Sequence, residues 1–237
     1  MYAPLIPFAG AQPFNDWFDP DTTQRHILGL RVEAVDPYWG FGGFIYAKAA
    51  GTQEKGSLCY LNNSFVATDI PNTANTGYPI VVAMAPMAAN EYGWYQDAGL
   101  SILSATASVA AGTAIGVTAA GQVGANTAGK QILGYYNALP GTTTKVISAT
   151  TRNGSAVITC VGGYDGWFLG AALTGTGVPA STVVAKLDPD GRTVYMGSAV
   201  GTIDKLATAS GTVSVTGTYT NFLVGYLNRA HVQGAIT

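Results

Sequence analysis

The chain has 237 residues, 48% of them hydrophobic and only 10% Asp, Glu, Lys or Arg, against roughly 25% charged in an ordinary soluble domain. That length suits one large or two small domains with buried cores, and 11 basic against 13 acidic residues leave no basic field to attract nucleic acid or an anionic membrane surface. The polar remainder is Thr, Ser, Asn and 31 Gly, the material of strands and tight turns, and a surface so poor in charge belongs either to a protein that precipitates easily or, the favoured reading, to one covered by other subunits.

The first residues, MYAPLIPFAG, carry no positive charge and two prolines. They do not read as a signal peptide, so synthesis in the cytoplasm is expected. Residues 1–24 hold four of the eleven prolines and five aromatics without helical or strand periodicity. Proline removes backbone donors and favours extended chain, so residues 1–30 read as an extended arm. Its apolar side chains, Tyr2, Leu5, Ile6, Phe8, Phe14, Trp17 and Phe18, need a surface to cover them, either their own domain or a neighbouring subunit. The stretch NDWFDPDTTQRH places Asp16, Asp19 and Asp21 ahead of His26. It lacks the alternating ligands, the turn glycine and the terminal Glu of a calcium loop, so these carboxylates read as turn caps and no metal is expected.

From Arg31 the pattern becomes strand, turn, strand. PYWGFGGF adds Tyr38, Trp39 and Phe41 to the candidate interface. Short β-rich runs follow at 43–50, 57–62, 78–86, 92–99, 100–108, 113–119 and 130–139, separated by Gly, Asn, Pro or Thr. Strands at this spacing without helical patterns between them predict an all-β sandwich or small barrel over 31–143. Residues 98–129 contain no charge but hold six glycines and short alternations such as SILSATASV, which predicts strands and no membrane span.

Residues 144–217 read as a second β-module. TKVISATTRNGSAVITC and AKLDPDGRTVYMG each read as two strands about a turn, Asn-Gly and Asp-Pro-Asp-Gly respectively. GTVSVTGTYT supplies another strand. The final NFLVGYLNRAHV matches KQILGYYNAL, with Leu133-Gly-Tyr-Tyr-Asn against Val224-Gly-Tyr-Leu-Asn; this suggests a module inserted between two similar strands, with 218–237 completing the first domain. In LTGTGVPASTVV, Gly175 and Gly177 would supply positive φ and Pro179 would fix the exit of a tight reversal. Cys59 and Cys160 have no metal-ligand spacing and read as buried apolar residues.

Two resemblances stand on these residues. Gly170, Leu173, Gly175, Thr176, Gly177, Pro179, Thr182 and Val183 form a succession that resembles a small β-module recurrent in phage virion and large surface proteins, which implies display rather than catalysis. Over about 30–140, Gly43-Phe-Ile-Tyr, Gly93-Trp-Tyr-Gln, Val109-Ala-Ala-Gly-Thr and Ala120-Gly-Gln-Val resemble phage head decoration, or cement, proteins. The chain departs from the shortest members of that family by its long arm and added module. The resemblance implies a β-barrel on the outer surface of the virion, the major capsid protein as partner, a homotrimer, and an outward-projecting module.

Chemistry has few candidates. His26 and His231 stand in no metal or acid–base motif. Glu33, Glu54 and Glu91 are scattered, and no nucleophile elbow, phosphate loop or dinucleotide fingerprint occurs. Trp39, Phe41, Phe44, Trp94 and Tyr95 could form a sugar platform, although core and subunit contact are the commoner uses of such residues. The expectation is a non-enzymatic capsid-stabilising protein without cofactor; the alternative is a tail- or fibre-associated protein whose module binds a host surface or glycan.

Overall fold

The computed structural model describes residues 3–4, 20–36, 40–107, 109–139, 143–164, 167, 170–188, 191–199, 201–219 and 222–234. They form an all-β protein. In chain order the strands are β1 Ala3–Pro4, β2 Arg31–Asp36, β3 Gly40–Ala49, β4 Leu58–Leu61, β5 Val66–Asp69, β6 Val81–Ala83, β7 Tyr92–Ser104, β8 Ile115–Ala119, β9 Gln122–Ala125 and β10 Ile132–Leu139. Then follow β11 Thr143–Thr151, β12 Val157–Cys160, β13 Ala172–Gly175, β14 Thr182–Leu187, β15 Thr193–Gly197, β16 Gly211–Tyr219 and β17 Phe222–Val232. The chain divides into two compact units, Met1–Gly141 with Asn221–Thr237, and Thr142–Thr220.

The first unit is a nine-stranded sheet ordered β1-β2-β3-β5-β4-β6-β7-β17-β10. A further pairing of β3 with β7 joins the ends of the run β3-β5-β4-β6-β7, so those five strands close into a ring. Small residues make so tight a ring possible: Ala47, Ala49, Cys59, Ala67 and Ala83 pack inside it with Val81, Met87 and Tyr95. Alternation then sends the neighbouring positions outward. Leu58, Val82 and Leu103 join Leu223 and Leu227 of β17 in a larger core, capped by Ile115, Val117 and Val123 of the β8–β9 hairpin. A third cluster, Val32, Ala34, Phe44, Tyr46, Met84 and Trp94, is covered by Leu28 and Leu30.

The runs 92–99 and 100–108, expected as separate strands, are one thirteen-residue strand, β7. Gly99 does not break it. At φ +97°, with the Phe41 carbonyl so near that a Cβ would collide with it, Gly99 bends β7 while β3 stays paired on one side, and Gln96 ties the bend by donating to the Ala98 and Leu100 carbonyls at 3.0 and 2.9 Å. Only glycine fits both demands.

The second unit is a closed barrel, β11-β12-β15-β14-β13-β16. Its longest ladder pairs β11 with β16 over nine positions, Thr143↔Tyr219 to Thr151↔Gly211. Trp167 is 1% exposed, donates from Nε1 to the Lys145 carbonyl at 3.1 Å, and lies where any side chain on Gly217 would strike its indole. The glycine on β16 therefore makes room for the largest side chain of the barrel core. In the reversal between β13 and β14, Gly177 has φ +78° and Thr182 donates to the Pro179 carbonyl at 2.7 Å, as the turn reading requires. Gly175 differs: it is extended, and its missing side chain lets β16 approach, since a Cβ would lie 2.8 Å from the Ser214 carbonyl oxygen.

Candidate functional site

The first unit carries an exposed apolar row running across its strands. Directly opposed residues of paired strands share a sheet face. Val35 on β2 opposes Phe41 on β3; the β3–β7 ladder pairs Gly42 with Gly99, so Phe41 is level with Leu100 one step further. Leu100 opposes Tyr226 on β17, and Tyr226 opposes Tyr136 on β10. With adjacent strands about 4.8 Å apart, the row is roughly 19 Å long. Val35 is 42% exposed, Phe41 46%, Tyr226 55% and Tyr136 63%. Among the described residues these four large apolar side chains, exposed and in line, form a continuous surface rather than scattered positions. At the β2 end the row meets β1, whose Ala3 opposes Val35 through the backbone.

One polar cluster borders the row. Arg31 bonds Asp97 at 2.7 and 3.3 Å and Glu33 at 3.3 Å. The guanidinium and the Asp97 carboxylate lie over Gly43, where a Cβ would strike both. The hydrogen bonds that Arg31 donates to the Asp97 carboxylate raise its pKa above the ordinary value. One guanidinium serves two carboxylates, which leaves the cluster with one net negative charge; at this exposure such pairs add little to stability.

Phe41 is the one sequence-derived interface residue of the first unit that the described residues include, and it is exposed. Tyr2, Leu5, Ile6, Phe8, Phe14, Trp17, Phe18, Tyr38 and Trp39 lie outside the described residues, as do Asp16 and Asp19. The sugar-platform alternative fails for its other members: Phe44, Trp94 and Tyr95 are all 2% exposed or less. Sequence reading missed Val35, Leu100, Tyr136 and Tyr226. The available signal was the outward phase of strands that place tyrosine where solvent-facing polar residues belong.

The titratable groups spend their bonding on the fold. Asp21 receives the Arg25 guanidinium at 2.7 Å and the Tyr46 hydroxyl at 3.3 Å, and its backbone pairs with Tyr92. His26 stands edge-on to Tyr46 and tilted against Trp94. Glu91 accepts the Ala88 amide at 2.7 Å, a turn cap. Inside the ring Tyr95 donates to Gln53 at 2.6 Å, and Gln53 to the Ala67 carbonyl. Cys59 donates to Asp69 at 3.4 Å; burial pushes the thiol well up and the Asp69 carboxyl up, which keeps Cys59 protonated rather than nucleophilic. Cys59 and Cys160 are both free and buried. Among the described residues no three His, Cys, Asp or Glu side chains assemble into a metal site.

The chain matches no protein-family model, no curated protein and no solved structure.

Proposed function

We propose that this protein is a structural virion subunit that decorates the outside of a phage capsid and stabilises the shell by burying apolar surface. The single observation that carries an interface role is the row of exposed Val35, Phe41, Tyr226 and Tyr136, continued through half-buried Leu100, on one sheet face. The virion address, the major capsid protein as partner and a homotrimeric assembly rest on the resemblance of residues 30–140 and 170–183 to phage virion proteins. Burying one such side chain is worth about 1.5–3 kcal/mol when fully withdrawn from water, and repetition over a lattice multiplies a modest contact.

The test is co-sedimentation with matched expanded capsids that lack the protein, counting bound copies per major capsid subunit at saturation. A saturable ratio set by lattice symmetry is expected. No binding by folded, soluble protein would overturn this reading and favour a tail or fibre location.

A further inference from the structure

β17 changes partners partway along. Up to Asn228 it pairs with β7, ending at Asn228↔Ala98; beyond it, Ile80 donates to the Ala230 carbonyl and Val232 to the Tyr78 carbonyl. Arg229 is the residue at the fork, and its φ is +49°. The fork opens a groove of about 270 Å³ with apolar walls of Leu61, Pro79, Ile80, Val81 and Ala230, and Asp97 and Arg229 as its charged members.

An arginine in left-handed backbone is costly, and this chain has a ready alternative. Fifteen described glycines occupy positive φ against five other residues. Asn75 and Asn90 tolerate the conformation through short polar side chains, and Phe65 sets its ring against Gly29. Arg229 is the one charged residue among the five. It is exposed and has no ion-pair partner among the described residues, whereas Asp97 is held by Arg31. The groove is thus apolar with one cation, Arg229, unpaired among the described residues, while Asp97 is engaged by Arg31, and the strained backbone of Arg229, set where β10 and β17 shift register about Gly134, stands at the groove itself. The groove falls below the roughly 300–1,000 Å³ of small-molecule pockets, a size that suits one side chain of a docking strand.

We infer that the groove binds an extended peptide segment of a partner protein, taking an apolar side chain between Pro79 and Ala230 and an adjacent carboxylate on Arg229. Resting on the reading above, the partner is the shell protein, and this contact lies beside the aromatic row and adds charge selectivity to it.

The test uses the full chain and two blocked tetrapeptides, Ser-Leu-Asp-Ser and Ser-Leu-Asn-Ser, titrated while amide resonances are followed. Shifts centred on Ile80, Val81 and Ala230 are expected, with the Asp peptide at least fivefold tighter. Arg229→Gly relieves the backbone and removes the charge, so its thermal midpoint should rise while the Asp peptide weakens to the level of the Asn peptide. Arg229→Lys should keep most of the preference. Equal binding of the two peptides, shifts elsewhere, unchanged binding by Arg229→Gly or a lowered midpoint would each overturn the inference. Pelleting with shells separates it from the parent reading: wild type and Arg229→Gly binding equally would sink the groove alone, and neither binding would sink the capsid role while the peptide titration still decides the groove.

Discussion

The two units solve the exposed-strand problem in opposite ways. The second unit closes all six strands into a barrel, leaving no edge, and its outer wall is hydroxyl-bearing: Thr150 opposes both Thr159 and Thr212, and Ser148 opposes Ser214. The first unit closes only five strands and runs β1, β2, β17 and β10 on as open sheet, with an apolar row that crosses from β2 through β3 and β7 to β17 and β10. The closed barrel has no strand edge left to pair, and its exposed Val146 stands among Ser and Thr of β11 and β16, whereas the open sheet lines up exposed apolar residues from strand to strand. The proposed interface therefore uses the first unit.

That contrast can be broken most forcefully at Trp167. Trp167→Ala should cost the second unit about 3–5 kcal/mol, and calorimetry should show its transition alone moving down; two transitions falling together would mean that the units are not energetically separate. Gly99→Ala should act on the other side of the comparison, costing the first unit about 1–3 kcal/mol, because φ +97° and the Phe41 carbonyl both reject a Cβ.

The row itself should matter to partners and little to the fold. Phe41→Ser or Tyr226→Ser is expected to leave stability within about 0.5 kcal/mol and to weaken shell binding by about 1 kcal/mol each, roughly fivefold. The matched control is Val146→Ser or Val161→Ser, at exposed valines of the second unit, which should leave binding unchanged; equal losses in both units would erase the distinction.

The smallest effect concerns pH. Desolvation pulls the half-buried Lys55 ammonium from 10.5 down to about 8. The unfolded chain then holds more protons between about 8 and 10.5, so this group makes stability rise with pH across that window, and below it the cost of the charged form is constant. Replacing Lys55 by Met should flatten the rise, read as the wild-type minus variant difference in thermal midpoint between pH 7.5 and 10.

Much of this was legible in local chemistry. The Asn-Gly and Asp-Pro-Asp-Gly turns announced β11–β12 and β14–β15, and the similar stretches around Gly134 and Gly225 are paired neighbours, Tyr136 opposing Tyr226. Short strands were harder to read. β5 and β9, four residues each, carry too little periodicity to stand out, and the glycine inside β7 looked like a stop because sequence alone does not say whether a left-handed residue ends a strand or bends it.

Composition and turn residues by themselves determined an all-β chain, because strand and turn preferences act within a few residues. They could not determine the interface row. Val35, Phe41, Leu100, Tyr226 and Tyr136 are spread over nearly two hundred positions and become neighbours only through the registers of four strand pairings. The role of Gly175 likewise depends on a distant strand, β16. Such placements are decided by long-range backbone hydrogen bonding and by which face the cores leave uncovered, and only the tertiary structure contains that information.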